Sequence, residues 1–291
     1  MRRGSALLQS RAMPLATRTV RPHGLPIDFE ILEGDSIVGP SIERGGWEEQ
    51  ETRLFRAHLR PGTRVLDLGA NVGWYSVLAI LAGCEVHAFE PVPEIAAVCG
   101  RNIERATRIG PGRAVLHESA AGASPGRARM ALGRENFGDN RVLDAGAARP
   151  IDMGDGRTVE IRIERVDDVA PGPARVVKID TQGSEWLALQ GMKGVLDASP
   201  EIALLIEFWP YALRGAAPEE LLRFLASLRF TIGKATAAPY PMTVDRILRQ
   251  ALRRDSVRGG LDLYATRGIP FHVGGVGRRL RGFVRSLREE G

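Results

Sequence analysis

The hydrophobic positions of this chain fall into short apolar runs, each followed by a stretch of polar or helical character. Five runs have the length and the flanking Gly, Pro or acidic residues of buried strands, and they cover residues 63–68, 85–90, 114–117, 175–180 and 202–208. Apolar residues recur at helical spacing over residues 94–108, 186–196 and 218–228. Successive strand–helix steps predict a parallel sheet with right-handed connections. Two later strands, at residues 230–236 and 261–267, are predicted to form an antiparallel pair. A basic helix is predicted between them in the sequence, at residues 246–258.

The segments before this repeat predict an N-terminal extension. Residues 1–26 are rich in Arg, Pro and Gly and lack the apolar stretch of a secretory signal, so they are expected to be a disordered basic leader. A transit peptide is the alternative. A single domain is expected over residues 27–270. Its first part, 27–60, should contain a hairpin or edge strand over 29–38 and a helix over 47–59.

An insertion and a tail complete the predicted organisation. Residues 122–163 are rich in Gly, Arg, Asn and Asp and interrupt the domain, with strands expected around 128–132 and 158–163. The turn over 136–141 between them could hold an acceptor molecule or be an ordinary surface turn. Residues 271–291 form a basic tail, expected to be a solvated helix, with weak membrane-surface contact as the alternative.

The first strand leads into a glycine turn, Asp67-Leu68-Gly69-Ala70-Asn71-Val72-Gly73. Strand, glycine turn and helix together seat nucleotide-like ligands at the carboxyl edge of a parallel sheet. The turn does not match the dinucleotide pattern G-x-G-x-x-G, because Ala70 and Asn71 lie inside it and Asp67 stands at its head. A carboxylate aimed into the pocket would repel a pyrophosphate, whereas it suits the sulfonium and ammonium groups of S-adenosylmethionine. An ordinary turn capped by Asn71 is the alternative.

Acidic residues recur where the predicted strands end: Asp67, Glu90, Asp180 and Glu207. Several carboxylates around one crevice raise its electrostatic energy unless a ligand offsets them, so this set predicts a binding site. Glu90 lies about twenty residues beyond the glycine turn, the spacing at which an acid accepts the hydroxyls of a bound ribose. A solvated acid before Pro91 is the alternative for Glu90.

The remaining cofactor contacts are assigned by position along the sheet edge. Asp67 and the backbone from Gly69 to Gly73 are expected to hold the amino-acid end of the cofactor. Ser119 and Ala120 follow the third strand and should lie near the adenine, although plain packing explains an apolar strand end equally well.

The composition of the chain argues against several other classes of protein. With 291 residues and 44% hydrophobic residues the chain can bury a sizeable core, and no apolar run approaches the roughly 20 residues of a membrane span. Two cysteines and five scattered histidines predict neither a disulfide framework nor a metal site, and a cytoplasmic location is the default expectation. The net charge is +5, and arginine supplies nearly all of the positive charge. Because aromatic residues do not interleave with the arginines, no nucleic-acid partner is expected.

Three motifs together resemble one family, the FkbM-type S-adenosylmethionine-dependent methyltransferases. They are Asp67-Leu68-Gly69-Ala70-Asn71-Val72-Gly73-Trp74-Tyr75, Ala88-Phe89-Glu90-Pro91 and Lys178-Ile179-Asp180-Thr181-Gln182-Gly183-Ser184-Glu185. The resemblance also takes in Gly46–Glu49, Gly138–Asn140, Val166–Asp168 and Ile206–Phe208. Ser184 stands where the family more often has Ala, a mild departure. The first and third motifs are specific in combination, whereas either alone would be weak.

The resemblance implies a class I methyltransferase fold, that is, a Rossmann-like α/β domain with a doubly wound seven-stranded sheet. That sheet would be mostly parallel, with one antiparallel strand near the C-terminus. The resemblance also implies S-adenosyl-L-methionine as cofactor and O-methylation of a hydroxyl on a sugar, polysaccharide or natural-product scaffold. Within it, Asp67, Gly69, Asn71 and Glu90 match the cofactor motifs.

A hydroxyl of low acidity must lose its proton to attack a methyl group, so a general base is expected. Asp180 is the first candidate because it ends the strand nearest the expected methyl group, and Glu185 and Glu207 follow. Charge complementation at a helix start is the alternative for Glu185. Lys178 would orient an acceptor or neutralise Asp180. The scheme needs no metal.

Two other functions remain open from the sequence. A dinucleotide-dependent oxidoreductase would share the strand–turn–helix unit but is disfavoured by the turn's composition. A non-catalytic nucleotide-binding module would share the fold, but a decayed site should have lost some of its acids. The expected partner is a small-molecule or glycan acceptor.

Overall fold

The computed structural model describes residues 15–133, 135–143, 157–252 and 260–271. The strands in these ranges are β1 (Thr17–Val20), β2 (Phe29–Leu32), β3 (Arg64–Leu68), β4 (Glu85–Phe89), β5 (Arg113–His117), β6 (Ala120–Ala121), β7 (Gly126–Ala131), β8 (Arg141–Val142), β9 (Thr158–Glu164), β10 (Val176–Ile179), β11 (Ile202–Phe208), β12 (Thr231–Lys234) and β13 (Leu261–Arg267). The helices are α1 (Val38–Glu43), α2 (Glu49–His58), α3 (Trp74–Leu81), α4 (Pro93–Thr107), α5 (Val166–Val169), α6 (Glu185–Gln190), α7 (Lys193–Ala198), α8 (Pro218–Ser227) and α9 (Val244–Leu252).

The central sheet has the order β12-β13-β11-β10-β3-β4-β5. Its strands pair in parallel from β11 through β5, whereas β13 is antiparallel to both of its neighbours. The chain leaves β3 toward β5 on one side and returns through β10 to the other side, so the strand order reverses between β3 and β10. Ligands bind at such a switch point in open α/β sheets. The predicted α/β class, with a mostly parallel sheet, is confirmed.

Both faces of this sheet are buried. Along β3, Val65 packs in one hydrophobic cluster and its neighbour Leu66 in another, and Ala203 and Leu204 of β11 divide in the same way. The first cluster contains residues of α2, α3 and α4, and the second contains residues of α6, α7, α8 and α9. Alternate side chains therefore face opposite helical layers, which explains why these strands read as continuous apolar runs.

The insertion builds a second sheet of order β6-β9-β7-β8. The two strands predicted within it are confirmed as β7 and β9, which pair antiparallel over six residue pairs from Gly126↔Ile163 to Ala131↔Thr158. Its short strand β8 pairs with the end of β7. In its described residues, 122–133, 135–143 and 157–163, the insertion is thus a folded layer that follows β5. Residues 134 and 144–156 lie outside the described residues.

Two predictions at the N-terminal end need correction. Part of the predicted disordered leader is a strand, because β1 pairs antiparallel with the fully buried β2. The hairpin or edge strand expected over 29–38 ends at Leu32, and α1 begins at Val38. Asp35 causes this change, since its carboxylate accepts the backbone N–H groups of Ile37, Val38 and Gly39 at the helix start.

The helix expected over 186–196 is two helices, α6 and α7. At the break, a Cβ on Gly191 would lie 1.9 Å from the carbonyl oxygen of Gly122, so the insertion contacts the chain here. The Asp167 carboxylate accepts N–H groups from Gly194 and Val195 at 2.9 Å and thereby caps α7.

Three predictions fall on residues outside the described ranges. The leader residues 1–14, the end of the predicted basic helix (253–258) and the tail from residue 272 onward lie outside the described residues. In the ranges that are described, no helix combines the length and the hydrophobicity that crossing a membrane requires.

Candidate active site

The carboxyl ends of β3, β4, β10 and β11 open into one cavity of about 900 Å³. This is the size of pockets that hold cofactors and small molecules. Eight of the residues predicted for the site line it: Gly69, Ala70, Asn71, Glu90, Ala120, Lys178, Asp180 and Glu207. The other four, Asp67, Gly73, Ser119 and Glu185, are not among the lining residues.

The glycine turn is fixed by contact with β10. Gly69 has φ +87°, and a Cβ there would lie 1.8 Å from the carbonyl oxygen of Asp180, so only glycine fits. Asn71 also has a left-handed φ of 50°, and its side-chain oxygen accepts the N–H of Val72 at 2.7 Å. Gly73 directly precedes α3 and lies against the side chain of Cys99. The turn therefore presents Gly69, Ala70 and Asn71 to the cavity.

Glu90 is buried beside this turn. Its two carboxylate oxygens accept backbone N–H groups from Asn71 and Val92, both at 3.0 Å. Burial raises its pKa to about 7, and the backbone N–H donors only partly offset this effect. Each oxygen keeps a second lone pair, so the carboxylate can accept two further hydrogen bonds from a ligand such as a ribose.

Asp67 does not point into the cavity, contrary to the expectation from the sequence. Its carboxylate is buried under α3 and accepts a hydrogen bond from Ser76 Oγ at 2.6 Å, while Oδ1 has no hydrogen-bond partner among the described residues. Burial raises its pKa to about 6. The alternation of side chains along β3 places it on the α3 side of the sheet, where it can act on the ligand only through the turn.

Ser119 and Glu185 also make protein contacts instead of lining the cavity. Ser119 is fully buried and donates a hydrogen bond to Glu164 of β9 at 2.7 Å, which links β5 to the insertion. Glu185 accepts from the N–H groups of Thr181 and Gly183 and holds the loop after β10. This geometry favours its structural role at the start of α6. Burial raises the pKa of Glu185 to about 7.

Two carboxylates at the ends of β10 and β11 share one donor. The amide nitrogen of Gln182 donates to Asp180 Oδ1 at 2.7 Å and to Glu207 Oε2 at 2.8 Å, and Gln182 adopts a left-handed φ of 50° to do so. Burial, followed by the negative charge of Asp180, raises the pKa of Glu207 well above its ordinary value. Glu207 therefore keeps its proton to a higher pH than an ordinary glutamic acid does.

Lys178 is buried next to this pair. Its Nζ donates to Glu48 Oε2 at 2.8 Å and lies 3.6 Å from Asp180 Oδ2. Tyr75 donates to the same Glu48 oxygen at 2.7 Å, and Lys178 Nζ is 5.1 Å from the centre of its ring. Burial lowers the pKa of Lys178, but the negative charges around it, that of Glu48 first, more than offset this and hold the pKa above its ordinary value.

Glu48 is a site residue that the sequence reasoning missed. It lines the cavity and has a left-handed φ of 45° just before α2. The signal that could have identified Glu48 was its place in the Gly46–Glu49 segment of the family resemblance. Tyr75 also lines the cavity.

The turn after β7 forms one wall of the cavity, with Asn136, Phe137, Gly138, Asp139, Asn140 and Arg141 all lining it. Asn136 Oδ1 accepts the N–H of Gly138 at 3.0 Å, so the segment is an Asx-turn and a cavity wall at once. A Cβ on Gly138 would lie 3.4 Å from Asn71 Nδ2, which shows how closely the insertion approaches the glycine turn.

Comparison with known proteins gives the class. The family model described as the methyltransferase FkbM domain matches residues 67–232, which is more than half of the chain. Protein-L-isoaspartate O-methyltransferase 1 of Arabidopsis thaliana is 31% identical over 130 residues, which are 44% of this chain and 50% of that relative. The chain thus spans about half the length of the curated relative it matches.

The solved structures to which this chain is similar share little sequence with it. P. horikoshii TYW2 in complex with MeSAdo has a TM-score of 0.45 and 11% identity, covering 86% of this chain and 72% of that one. Magnesium protoporphyrin IX methyltransferase from Synechocystis PCC 6803 with bound SAM has a TM-score of 0.38 and 13% identity, covering 71% of each chain.

The family match gives the class of this chain, that of methyltransferase domains whose cofactor is S-adenosylmethionine. More narrowly, the chain belongs to the FkbM methyltransferase family.

Proposed function

We propose that this protein transfers the methyl group of S-adenosylmethionine to a hydroxyl oxygen on a sugar, polysaccharide or natural-product scaffold. The main support is that one cavity has two chemically different ends. The Gly69–Asn71 turn and Glu90 form one end, and Asp180, Gln182 and Glu207 form the other. The Arabidopsis relative is named as an O-methyltransferase, which also favours transfer to oxygen.

In this proposal the seven strands form the class I methyltransferase sheet, and residues 27–270 form one catalytic domain. Glu90 accepts the ribose hydroxyls, and Ala120 borders the adenine. The backbone from Gly69 to Asn71 holds the amino-acid end. The buried carboxylate of Glu90 has free lone pairs on both oxygens, which fits it to accept the hydroxyls of the cofactor's ribose.

The bound cofactor supplies an electrophilic methyl group on a sulfonium. The protein has to align the acceptor oxygen with that methyl group and remove the hydroxyl proton. Asp180 or Glu207 accepts the proton, and Gln182 holds both carboxylates in place. Lys178 stabilises the negative charge of Asp180 from behind, and the turn over residues 136–141 covers the acceptor.

The cofactor assignment is tested by thermal shift and calorimetry with S-adenosylhomocysteine and NAD in parallel. We expect stabilisation by S-adenosylhomocysteine only. The variant Glu90→Gln should bind S-adenosylhomocysteine about 10- to 100-fold more weakly, because the neutral amide loses charge-assisted hydrogen bonds to the ribose. The matched control is Glu104→Gln on the exposed side of α4, which should leave the affinity unchanged.

Stabilisation by NAD would support the oxidoreductase alternative instead. An unchanged S-adenosylhomocysteine affinity in Glu90→Gln would remove the ribose assignment. The acceptor is sought by incubating the protein with methyl-labelled S-adenosylmethionine and a panel of hydroxyl compounds. Binding of the cofactor without transfer to any member of the panel would favour the non-catalytic module.

A further inference from the structure

We propose that the cavity wall formed by Arg141 and Trp209 binds an oxyanion of the acceptor, a carboxylate or a phosphate. The inference rests on the proposed function, because it names a chemical class of acceptor for the same cavity. It would make the acceptor a hydroxyl compound that also carries a negative charge.

Arg141 has donor capacity that the described residues leave unused. Its side chain is 8% exposed and lines the cavity. Nε donates to Asp139 Oδ1 at 2.6 Å, while Nη1 has no hydrogen-bond partner among the described residues. A guanidinium carries five N–H donors and no acceptor, and buried donors are normally satisfied. An acceptor atom supplied by a ligand would complete it.

Trp209 offers a second unused donor at the same place. The guanidinium carbon of Arg141 lies 4.2 Å from the centre of the Trp209 ring, so the indole holds the arginine by a cation–π contact. Trp209 is buried and lines the cavity, and its Nε1 has no hydrogen-bond partner among the described residues. Both unsatisfied groups are donors, and one belongs to a cation. The complementary ligand is therefore an oxyanion, which can accept two parallel hydrogen bonds from a guanidinium.

The position of the pair assigns the oxyanion to the acceptor. Trp209 directly follows β11, whereas Glu90 follows β4, three strands away in the sheet order. Neighbouring strands are about 4.8 Å apart, so roughly 14 Å separates these two strand ends. Between them lies Asp180 at the end of β10, where the hydroxyl proton would be removed. The charged group of the acceptor would then lie on the side of Asp180 that is remote from the ribose.

The experiment uses the full chain saturated with S-adenosylhomocysteine and titrated by calorimetry with sodium phosphate or sodium acetate, at ionic strength held constant with NaCl. We expect one of the two anions to bind, and which one binds distinguishes a phosphate from a carboxylate. Arg141→Gln should weaken that anion at least about tenfold, with S-adenosylhomocysteine affinity unchanged. The matched control is Arg127→Gln, because Arg127 is an exposed arginine of β7 that pairs with Glu160.

The variant Trp209→Phe keeps an aromatic ring but removes the indole donor, and it should weaken the anion by about threefold. If Arg141→Gln fails to fold, the anion affinity of Trp209→Phe tests the proposal instead. The proposal is overturned if neither anion binds the wild-type complex. It is also overturned if the variants bind the anion with the wild-type affinity. Loss of S-adenosylhomocysteine affinity in Arg141→Gln would also overturn it, because the arginine would then serve the cofactor. If wild type does not bind S-adenosylhomocysteine, the proposed function itself fails.

Discussion

One amide nitrogen holds the two carboxylates at the ends of β10 and β11. Two neighbouring carboxylates repel each other, and Gln182 reduces that repulsion by donating to both Asp180 and Glu207. The two acids are not equivalent. Asp180 also lies 3.6 Å from the buried ammonium of Lys178, whereas burial and Asp180 together raise the pKa of Glu207. Its contact with the Lys178 ammonium makes Asp180 the first candidate for the base.

Replacing this base should separate chemistry from binding. With an acceptor found in the labelled panel, Asp180→Asn should lower kcat by about 10²- to 10⁴-fold, because the hydroxyl proton loses its acceptor. The affinity for S-adenosylhomocysteine, measured by calorimetry, should stay within about twofold, since the proposed ribose contact is at Glu90. Asp245→Asn, an exposed change on α9, is the control. Undiminished turnover in Asp180→Asn would exclude Asp180 as the base, and a larger loss in Glu207→Gln would assign that role to Glu207.

The glycine turn and β10 form a single unit with no space between them. Gly69 contacts the backbone of Asp180 directly, so any side chain at position 69 would push apart the turn and the strand end that carries the base. The register of β3 with β10, in which Leu68 is paired with Ile179, continues into this contact. The glycine turn at one end of the cavity and the Asp180 end are therefore held in fixed positions relative to each other by direct backbone contact.

The matched pair Gly69→Ala and Gly62→Ala tests this contact. Both glycines have a positive φ, +87° and +75°, but nothing lies within 4 Å of a Cβ at Gly62. Gly62→Ala should therefore cost only backbone strain, about 1 kcal/mol. Gly69→Ala adds a clash with a backbone oxygen that no rotamer relieves, so its free energy of unfolding should fall by more than about 3 kcal/mol. Urea unfolding measures the free energy of unfolding of both variants. Equal losses of this free energy would show that the contact with Asp180 is unimportant.

The N-terminal extension supports the cofactor turn from outside the central sheet. Asn102 of α4 donates to the backbone oxygens of Glu30 in β2 and Val72 in the turn, both at 2.8 Å. It also accepts the N–H of Glu30 at 2.7 Å. The Glu30 carboxylate pairs with Arg101 and Arg105 of the same helix. The hairpin, α4 and the turn are therefore linked across the fold.

This link should appear in the pH dependence of stability. The hydrogen bond from Arg101 outweighs burial and lowers the pKa of Glu30 from 4.5 to about 2. A carboxylate with a depressed pKa contributes stability that is complete above the unfolded value, 4.5, and is lost as pH falls through about 2. At pH 7, Glu30→Gln should lower the free energy of unfolding by about 1 to 3 kcal/mol.

Urea unfolding of wild type and Glu30→Gln between pH 7 and pH 2 measures this difference, which should shrink below pH 4.5 as the wild-type carboxylate is protonated. Glu43→Gln is the control, because Glu43 and its partner Arg18 are both exposed and their pairing should contribute little. A difference between wild type and Glu30→Gln that does not change with pH would show that the ion pair has no role.

Local features of the chain were enough to predict most of the sheet. The strand predicted over 202–208 has those bounds in the structure, because a strand buried on both faces is a continuous apolar run. The glycine turn and the neighbouring Glu90 were also readable, since backbone conformation and strand ends are local properties. The family resemblance, carried by short motifs, led to the methyltransferase family.

Contacts between distant segments decided the rest. Arg141 meets Trp209 across 68 positions of the chain only because the insertion folds over the sheet edge, and no local pattern predicts that meeting. Glu48 becomes a site residue through Lys178 and Tyr75, which lie far along the chain from it. Asp67 faces α3 instead of the cavity because the packing of that helix fixes which side of β3 is covered. Side-chain alternation shows that a strand has two faces, but only the packed helices determine which face a ligand can reach.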